Sequence, residues 1–325
     1  MRNWLGGASP SADRFRSAVG LVGWLLACLL PLDGSGVGWL AARFILLAVL
    51  VWVPLAISLF DEAETTSLPR LLRWLYPWCA GVLVASFVLP AGLTAASLAV
   101  PWALWTGLLG LRGLLRLWQE RTERFQAPEE LCLDLGMLAL PVGGIWLLAA
   151  RAGLPLLGFV YPITLLTAMH FHYAGLLMPT VVGLAGRLLP VQAPGWPLYR
   201  VLAPAVCLGV WMVAVGITAG GLVEALAGTI FATLLAAVSA ILLSHVAAQI
   251  EDDPLARALL LLSLLATWPA MGLAALYALS HAGLTSVSLE TMAMLHGTLL
   301  AVVFVGGGLT ALARLRPAAK APAHP

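Results

Sequence analysis

Apolar residues run along this chain in long blocks, and the polar residues fall mostly between them. A hydrocarbon core about 30 Å thick takes roughly 20 consecutive apolar residues of helix. Blocks of that kind stand near 17–32, 38–60, 75–93, 95–117, 133–150, 156–183, 201–219, 222–248, 256–280 and 289–313. The pattern predicts an all-α protein, a polytopic transmembrane helical bundle of about ten spans. The first block is short and stops at Pro31, and only the turn Pro90-Ala91-Gly92 parts the third from the fourth, so nine or eleven spans also satisfy the pattern. No loop is long enough to hold a soluble domain. Residues 1–315 therefore read as one transmembrane domain, and 316–325 (Arg316-Pro317-Ala318-Ala319-Lys320 onward) as a disordered cytoplasmic tail.

Composition agrees. The chain is 61% hydrophobic and 10% charged, with a mean hydropathy of +0.97, whereas soluble domains carry about 25% charged residues. The basic residues then orient the spans. With the N-terminus inside, the inner loops and ends receive Arg2, Arg14, Arg16, Arg70, Arg73, Arg112, Arg116, Arg121, Arg124, Arg187, Arg200, Arg257, Arg314, Arg316 and Lys320. That is fifteen of seventeen, leaving only Arg43 and Arg151 at outer helix ends. Such a bias predicts a bacterial inner-membrane protein with both termini cytoplasmic. The stretch after the first block is a poor cleavage site, so that block reads as a span and not as a signal peptide. No run of interleaved basic and aromatic residues suggests nucleic-acid binding. Cys28, Cys79, Cys132 and Cys207 are far apart in sequence and read as small buried hydrophobes, with neither a zinc pattern nor a disulfide framework.

The chemistry sits in the sixth and tenth blocks. Met169-His170-Phe171-His172-Tyr173 lies inside the apolar run from Leu156 to Val182, and His296 lies in Met292-Ala293-Met294-Leu295-His296-Gly297. Ionisable groups in membrane spans are expensive and commonly functional. On a regular helix His170 and His172 point about 200° apart, so one metal cannot take both unless the helix is distorted, as a kink from Pro162 would do. His296 falls about two turns below the outer end, with Glu290 near the mouth, and Gly297 leaves room for close approach. The candidate intramembrane site is His170, His172, Tyr173 and His296, with Glu290 and Tyr161 nearer the outer face. The bland alternative makes each imidazole a buried polar group bonded to a neighbouring helix. Other polar positions read as structural: Asp134, beside Glu129 and Glu130, as a carboxylate at a helix N-terminus; Arg43 as a snorkelling side chain; His245 and His281 as interfacial; the tryptophans as an aromatic belt; and the 61–74 and 118–130 loops as solvated connectors.

Two resemblances attach to these residues. Leu166-Thr167-Ala168-Met169-His170-Phe171-His172-Tyr173-Ala174-Gly175 with Pro179, Pro101-Trp102, and Met294-Leu295-His296-Gly297 together resemble the YndJ-like family of bacterial membrane proteins. The resemblance implies a many-span protein of a family often labelled as transporters. Leu300 departs from the polar Asn expected a few residues after the His-Gly pair. Locally, His170-Phe171-His172-Tyr173 and Met294-Leu295-His296-Gly297 are similar to the haem-ligand helices of haem–copper oxidases, where a His-x-His pair serves two haems on opposite faces. The copper site of those enzymes needs further histidines, and the first five spans have none.

Three functions compete on these grounds. The first is a transporter of a small molecule or ion, proton-coupled through the imidazoles. The second is an intramembrane enzyme acting on a lipid or isoprenoid, with a histidine as base and Tyr173 or Glu290 as acid. The third is a membrane redox protein holding haem or a transition metal between His296 and His170 or His172. A structural or assembly role, with the histidines as glue, stands beside them. The partners expected are the lipid bilayer and a small-molecule, ion or lipid ligand.

Overall fold

The computed structural model describes residues 10–32, 36–60 and 67–315. The predicted tail at 316–325 and the acidic Asp61-Glu62-Ala63-Glu64 stretch lie outside them. Ten long helices make up most of the described chain, α1 (Pro10–Cys28), α2 (Gly36–Phe60), α3 (Ser67–Val88), α4 (Leu93–Gln119), α5 (Pro128–Ala152), α6 (Ile163–Gly186), α7 (Trp196–Ala219), α8 (Gly221–Gln249), α9 (Pro254–Ser280) and α10 (Leu289–Arg314), with a single helical turn, Arg121–Arg124, between α4 and α5. Among the described residues nine are long and apolar enough to cross a membrane, and α1 adds only the shorter apolar stretch Ala18–Cys28. The ten sequence blocks thus resolve into nine spans and one short apolar helix.

Helix ends follow local chemistry. Left-handed Gly153 (φ 69°) closes α5. Asp253 caps α9 by accepting from Ala256 N at 2.9 Å, and Pro254 supplies the first turn. That bond, helped by Arg314, holds the Asp253 carboxyl below the usual carboxylate range. A depressed carboxylate stabilises the fold above its unfolded value, so the contribution of this cap is present at neutral pH and lost as the pH falls through its folded value.

Burial sorts the helices into layers. The apolar windows of α6 and α2 are 78% and 72% buried, against 33% for α3 and α7. α2 and α6 are therefore central, and α3 and α7 turn most of their surface outward. The α4–α5 pair is packed most closely, because Gly113 brings α4 against α5: a Cβ there would meet Met137 Cβ at 2.8 Å and Asp134 O at 2.9 Å. Buried Arg151 ties α5 to α3 as well: it reaches Ser86 O at 2.9 Å and Ser86 Oγ at 3.3 Å near the end of α3, with Phe87 under its guanidinium.

Three helices are wound more loosely over one stretch each. π-Helical segments cover Ala48–Trp52 in α2, Phe171–Leu177 in α6 and Leu299–Gly307 in α10, and the three segments touch one another in the middle of the bundle. Proline explains two of them. Pro54 and Pro179 follow their segments by two residues, and neither has an N–H to give the carbonyl four residues back. In α2 the Val53 N–H bonds Ala48 O instead of Val49 O, and the Tyr76 hydroxyl of α3 donates to Val49 O in its place. In α10 the run Gly306-Gly307-Gly308 takes the role of the flexible point, and Ser263 Oγ of α9 donates to Phe304 O at 2.6 Å. π-Segments are rare and concentrate at functional sites.

Candidate functional site

His170 and His296 each fall seven residues below the start of their helix, at Ile163 and Leu289. At 1.5 Å per residue both rings lie about 10 Å below the same end of the bundle, opposite the arginine-rich end. Both line one cavity of about 60 Å³, together with Tyr173, Gly297, Leu300 and Phe231 of α8. This space holds a few water-sized species and no more. The cavity is bounded by the π-segments of α6 and α10, so the spans that sequence could not place side by side are neighbours here.

The three histidines differ in what their nitrogens do. Trp102 Nε1 donates to His172 Nε2 at 3.0 Å, and His172 Nδ1 stands 2.7 Å from Ala168 O. Indole nitrogen is only a donor and a carbonyl only an acceptor. Nε2 must therefore carry the lone pair and Nδ1 the proton, so both nitrogens of a neutral ring are used. His172 is fully buried, and its ring stacks at 5.9 Å on Trp102, which stacks in turn at 5.0 Å on Trp105. His296 Nδ1 lies 2.9 Å from Ala270 O and donates to it, which leaves Nε2 as an acceptor when the ring is neutral. His170 Nε2 is buried and has no hydrogen-bond partner. Orphaned buried polar atoms are uncommon and costly, and a ligand or water commonly accounts for them.

The remaining candidates fall elsewhere. The Tyr173 ring lines the cavity, but its hydroxyl donates to Phe44 O at 2.8 Å. Glu290 is exposed in the first turn of α10, and Tyr161 is 44% exposed with its hydroxyl packed against Gly38; neither lines the cavity. The structure thus brings together His170, His296 and the Tyr173 ring, and separates His172, Glu290 and Tyr161 from them. A bis-imidazole haem does not fit. Even drug-sized ligands need about 300–1,000 Å³, and a porphyrin is larger than the 60 Å³ between these histidines. His172 would also have to release Trp102. Among the described residues no group of three or more His, Cys, Asp or Glu is placed to hold a metal ion.

Two features escape the sequence reading. Trp102 and Trp105 belong to no interfacial belt; they are buried beneath His172. The second feature is a charge network at the arginine-rich end. Glu130 takes Arg187 Nε at 2.6 Å, Arg116 Nη2 at 2.9 Å and Arg124 Nη1 at 3.0 Å. Asp134, fully buried, holds Arg116 Nε at 2.8 Å and Arg124 Nε at 3.2 Å as charge contacts without hydrogen-bond alignment. Asp134 is thus part of a buried cluster and not an interfacial carboxylate, and Arg124 is buried although its loop reads as solvated. Arg43 does not snorkel freely: its guanidinium stacks 3.3 Å from the Trp39 ring centre and bonds Cys28 O at 3.3 Å. At the other end His281 Nδ1 pairs with Glu224 at 2.8 Å.

A family model described as YndJ-like protein matches residues 43–304, most of the chain. The chain belongs to the YndJ-like family. The match takes in both cavity histidines and Trp102, and it stops short of α1. Among curated proteins, this YndJ-like chain is 30% identical over 198 residues to the "Uncharacterized membrane protein YndJ" of Bacillus subtilis (strain 168). The shared stretch is 59% of this chain and 34% of that relative, so the YndJ-like chain spans about a third of the relative's length. No solved structure matches it. As a YndJ-like membrane protein it keeps His172 as a buried, neutral, doubly bonded ring. Trp102→Phe removes one donor and is expected to cost about 1–3 kcal/mol, the usual penalty for an unsatisfied buried acceptor. Heat denaturation of the purified variant in detergent measures it, and an unchanged midpoint would contradict the bonded geometry.

Proposed function

We propose that this protein is a bacterial inner-membrane transporter that moves a small ion or molecule coupled to protons, with the His170–His296 cavity as the relay. One observation carries the reading: His170 Nε2 is buried without a partner on a cavity that it shares with a second imidazole. An imidazole can take a proton at one ring nitrogen and release one at the other, and two of them across a few-water space can pass a proton. His296 is held by Ala270 O at Nδ1, which leaves Nε2 to accept. The size of the cavity restricts what passes between the rings to a proton, a water or a species of similar size.

The inner-membrane location and the inward-facing arginines rest on the basic-residue bias. An intramembrane lipid enzyme draws less support, because it needs an acid beside the histidines. The Tyr173 hydroxyl is given to Phe44 O, and Glu290 lies at the exposed end of α10. Reconstituted vesicles with an entrapped pH-sensitive dye test the reading. His296→Ala should lower proton flux by about 100-fold, the low end of what one positioned proton-transfer group contributes. His281→Ala, at the outer end of α9, should leave it unchanged. Equal flux in wild type and in both cavity variants, His170→Ala and His296→Ala, would retire this site.

A further inference from the structure

The His170–His296 cavity has a shape and a donor set that a proton relay alone does not need. Its lining residues recur turn by turn from Met169 to Met178 on α6 and from His296 to Val305 on α10. At 1.5 Å per residue the cavity is a slot roughly 13 Å long, which starts at the two imidazoles and leads toward the arginine-rich end. Its donors are nitrogen and sulfur. At the upper end stand the unpartnered His170 Nε2, the acceptor Nε2 of His296 and the Met169 thioether, and at the lower end the Met178 thioether. The one side-chain oxygen among the described lining residues is that of Tyr173, which donates to Phe44 O. No carboxylate or thiol stands among them.

We propose that this slot binds one soft monovalent cation, Cu(I), between His170 Nε2 and His296 Nε2, with the Met169 thioether as a third donor and Met178 as the next sulfur along its path. Donor type excludes the alternatives. Calcium and magnesium take about six or more oxygens, and zinc takes three or four side-chain ligands, more than two imidazoles supply. Thioether sulfur selects Cu(I), and imidazole suits copper. Charge points the same way: with no carboxylate on the walls a divalent ion would be buried uncompensated, and a single positive charge costs least. His296 is already oriented as a ligand, because ligating histidines give their other ring N–H to a carbonyl or carboxylate, here Ala270 O. The cation accounts for the orphaned nitrogen of His170, and a space of about 60 Å³ admits a bare ion and excludes an organic one. A lone pair given to the cation is not open to a proton, so the two take turns at the same nitrogens. Movement of the ion along the slot rests on the transport reading above; its binding does not.

The test uses the full chain purified in detergent, with Cys28→Ser as the background because Cys28 is the least buried thiol. The probes are Ag(I), which shares the charge and softness of Cu(I) without its redox chemistry, and Cu(I) held reduced by ascorbate. Metal retained after gel filtration gives the stoichiometry, and competition with a coloured Cu(I) chelator gives the affinity. One ion per chain should be retained, and Zn(II) should not. His170→Leu and His296→Ala should weaken retention by about 100-fold or more and Met169→Leu by about tenfold, against the roughly 10–100-fold that residues supporting a metal ligand contribute. Copper K-edge absorption should show nitrogen and one sulfur, with the sulfur lost in Met169→Leu. Undiminished retention in His170→Leu, with melting measured alongside to show that it is folded, would assign the metal to the cysteines and overturn the proposal. Sulfur-only coordination or equal retention of Zn(II) would overturn it too. Binding and flux are read separately: proton flux without metal retention overturns this inference and leaves the relay, whereas retention without flux upholds the metal site and retires the relay.

Discussion

Glu130→Ala is expected to cost about 3–5 kcal/mol, the range for breaking a buried ion pair by removing one partner. Glu130 is the hub on which Arg116, Arg124 and Arg187 converge from α4, the following turn and the end of α6. Without it Arg116 and Arg124 keep the carboxylate of Asp134, Arg124 also keeps that of Glu120, and Arg187 is left with a 3.5 Å contact to Leu59 O. The attraction is strong here because Asp134 is excluded from solvent and the Arg187 and Glu130 side chains are only 8% and 11% exposed. The double variant Glu130→Leu/Arg187→Leu should recover part of the loss, because a buried pair replaced by apolar groups is often neutral or stabilising. Heat denaturation of the variants in one detergent gives the comparison. A loss of less than about 1 kcal/mol for Glu130→Ala would be the value of an exposed pair, and would mean that the network is solvated.

That network marks where sequence reading stopped and why. Long apolar blocks announce helices because the bilayer sets their length, so the spans and their order were legible. The charges were legible too, but as loop residues. Arg112 and Arg116 stand four apart near the end of α4, and Glu130 and Asp134 stand four apart at the start of α5, so each pair lines one helix face. Two such faces of opposite sign joined by a tight turn amount to a pairing signal. Trp102 was open to the same treatment: nine residues into α4 it lies about 13 Å below the helix start, too deep for an interfacial ring. The divergence of His170 and His172 follows from helical period, and the structure sends one ring to the cavity and the other to Trp102. Two things had no local signal. The contact of α6 with α10 depends on packing across more than a hundred residues. Two of the three loosened turns show only as a proline two residues beyond, and Pro77, Pro101, Pro141, Pro204 and Pro269 sit in helices that have no such segment.

His170→Leu should move stability and transport in opposite directions, and this separates a working histidine from a structural one. An unsatisfied buried nitrogen costs about 1–3 kcal/mol, and an apolar side chain of similar size removes that cost. The Leu variant should therefore melt at or above the wild-type temperature, whereas His172→Leu, which strips the partner from Trp102 Nε1, should melt lower. Proton flux should fall by about 100-fold in His170→Leu, as for His296→Ala. Flux and melting measured on the same preparations decide between the readings. If His170 were only a bonded core residue, its Leu variant would lose stability as His172→Leu does and keep its flux. A stabilised protein without flux would instead place the unpaired nitrogen among groups kept for function at the expense of the fold.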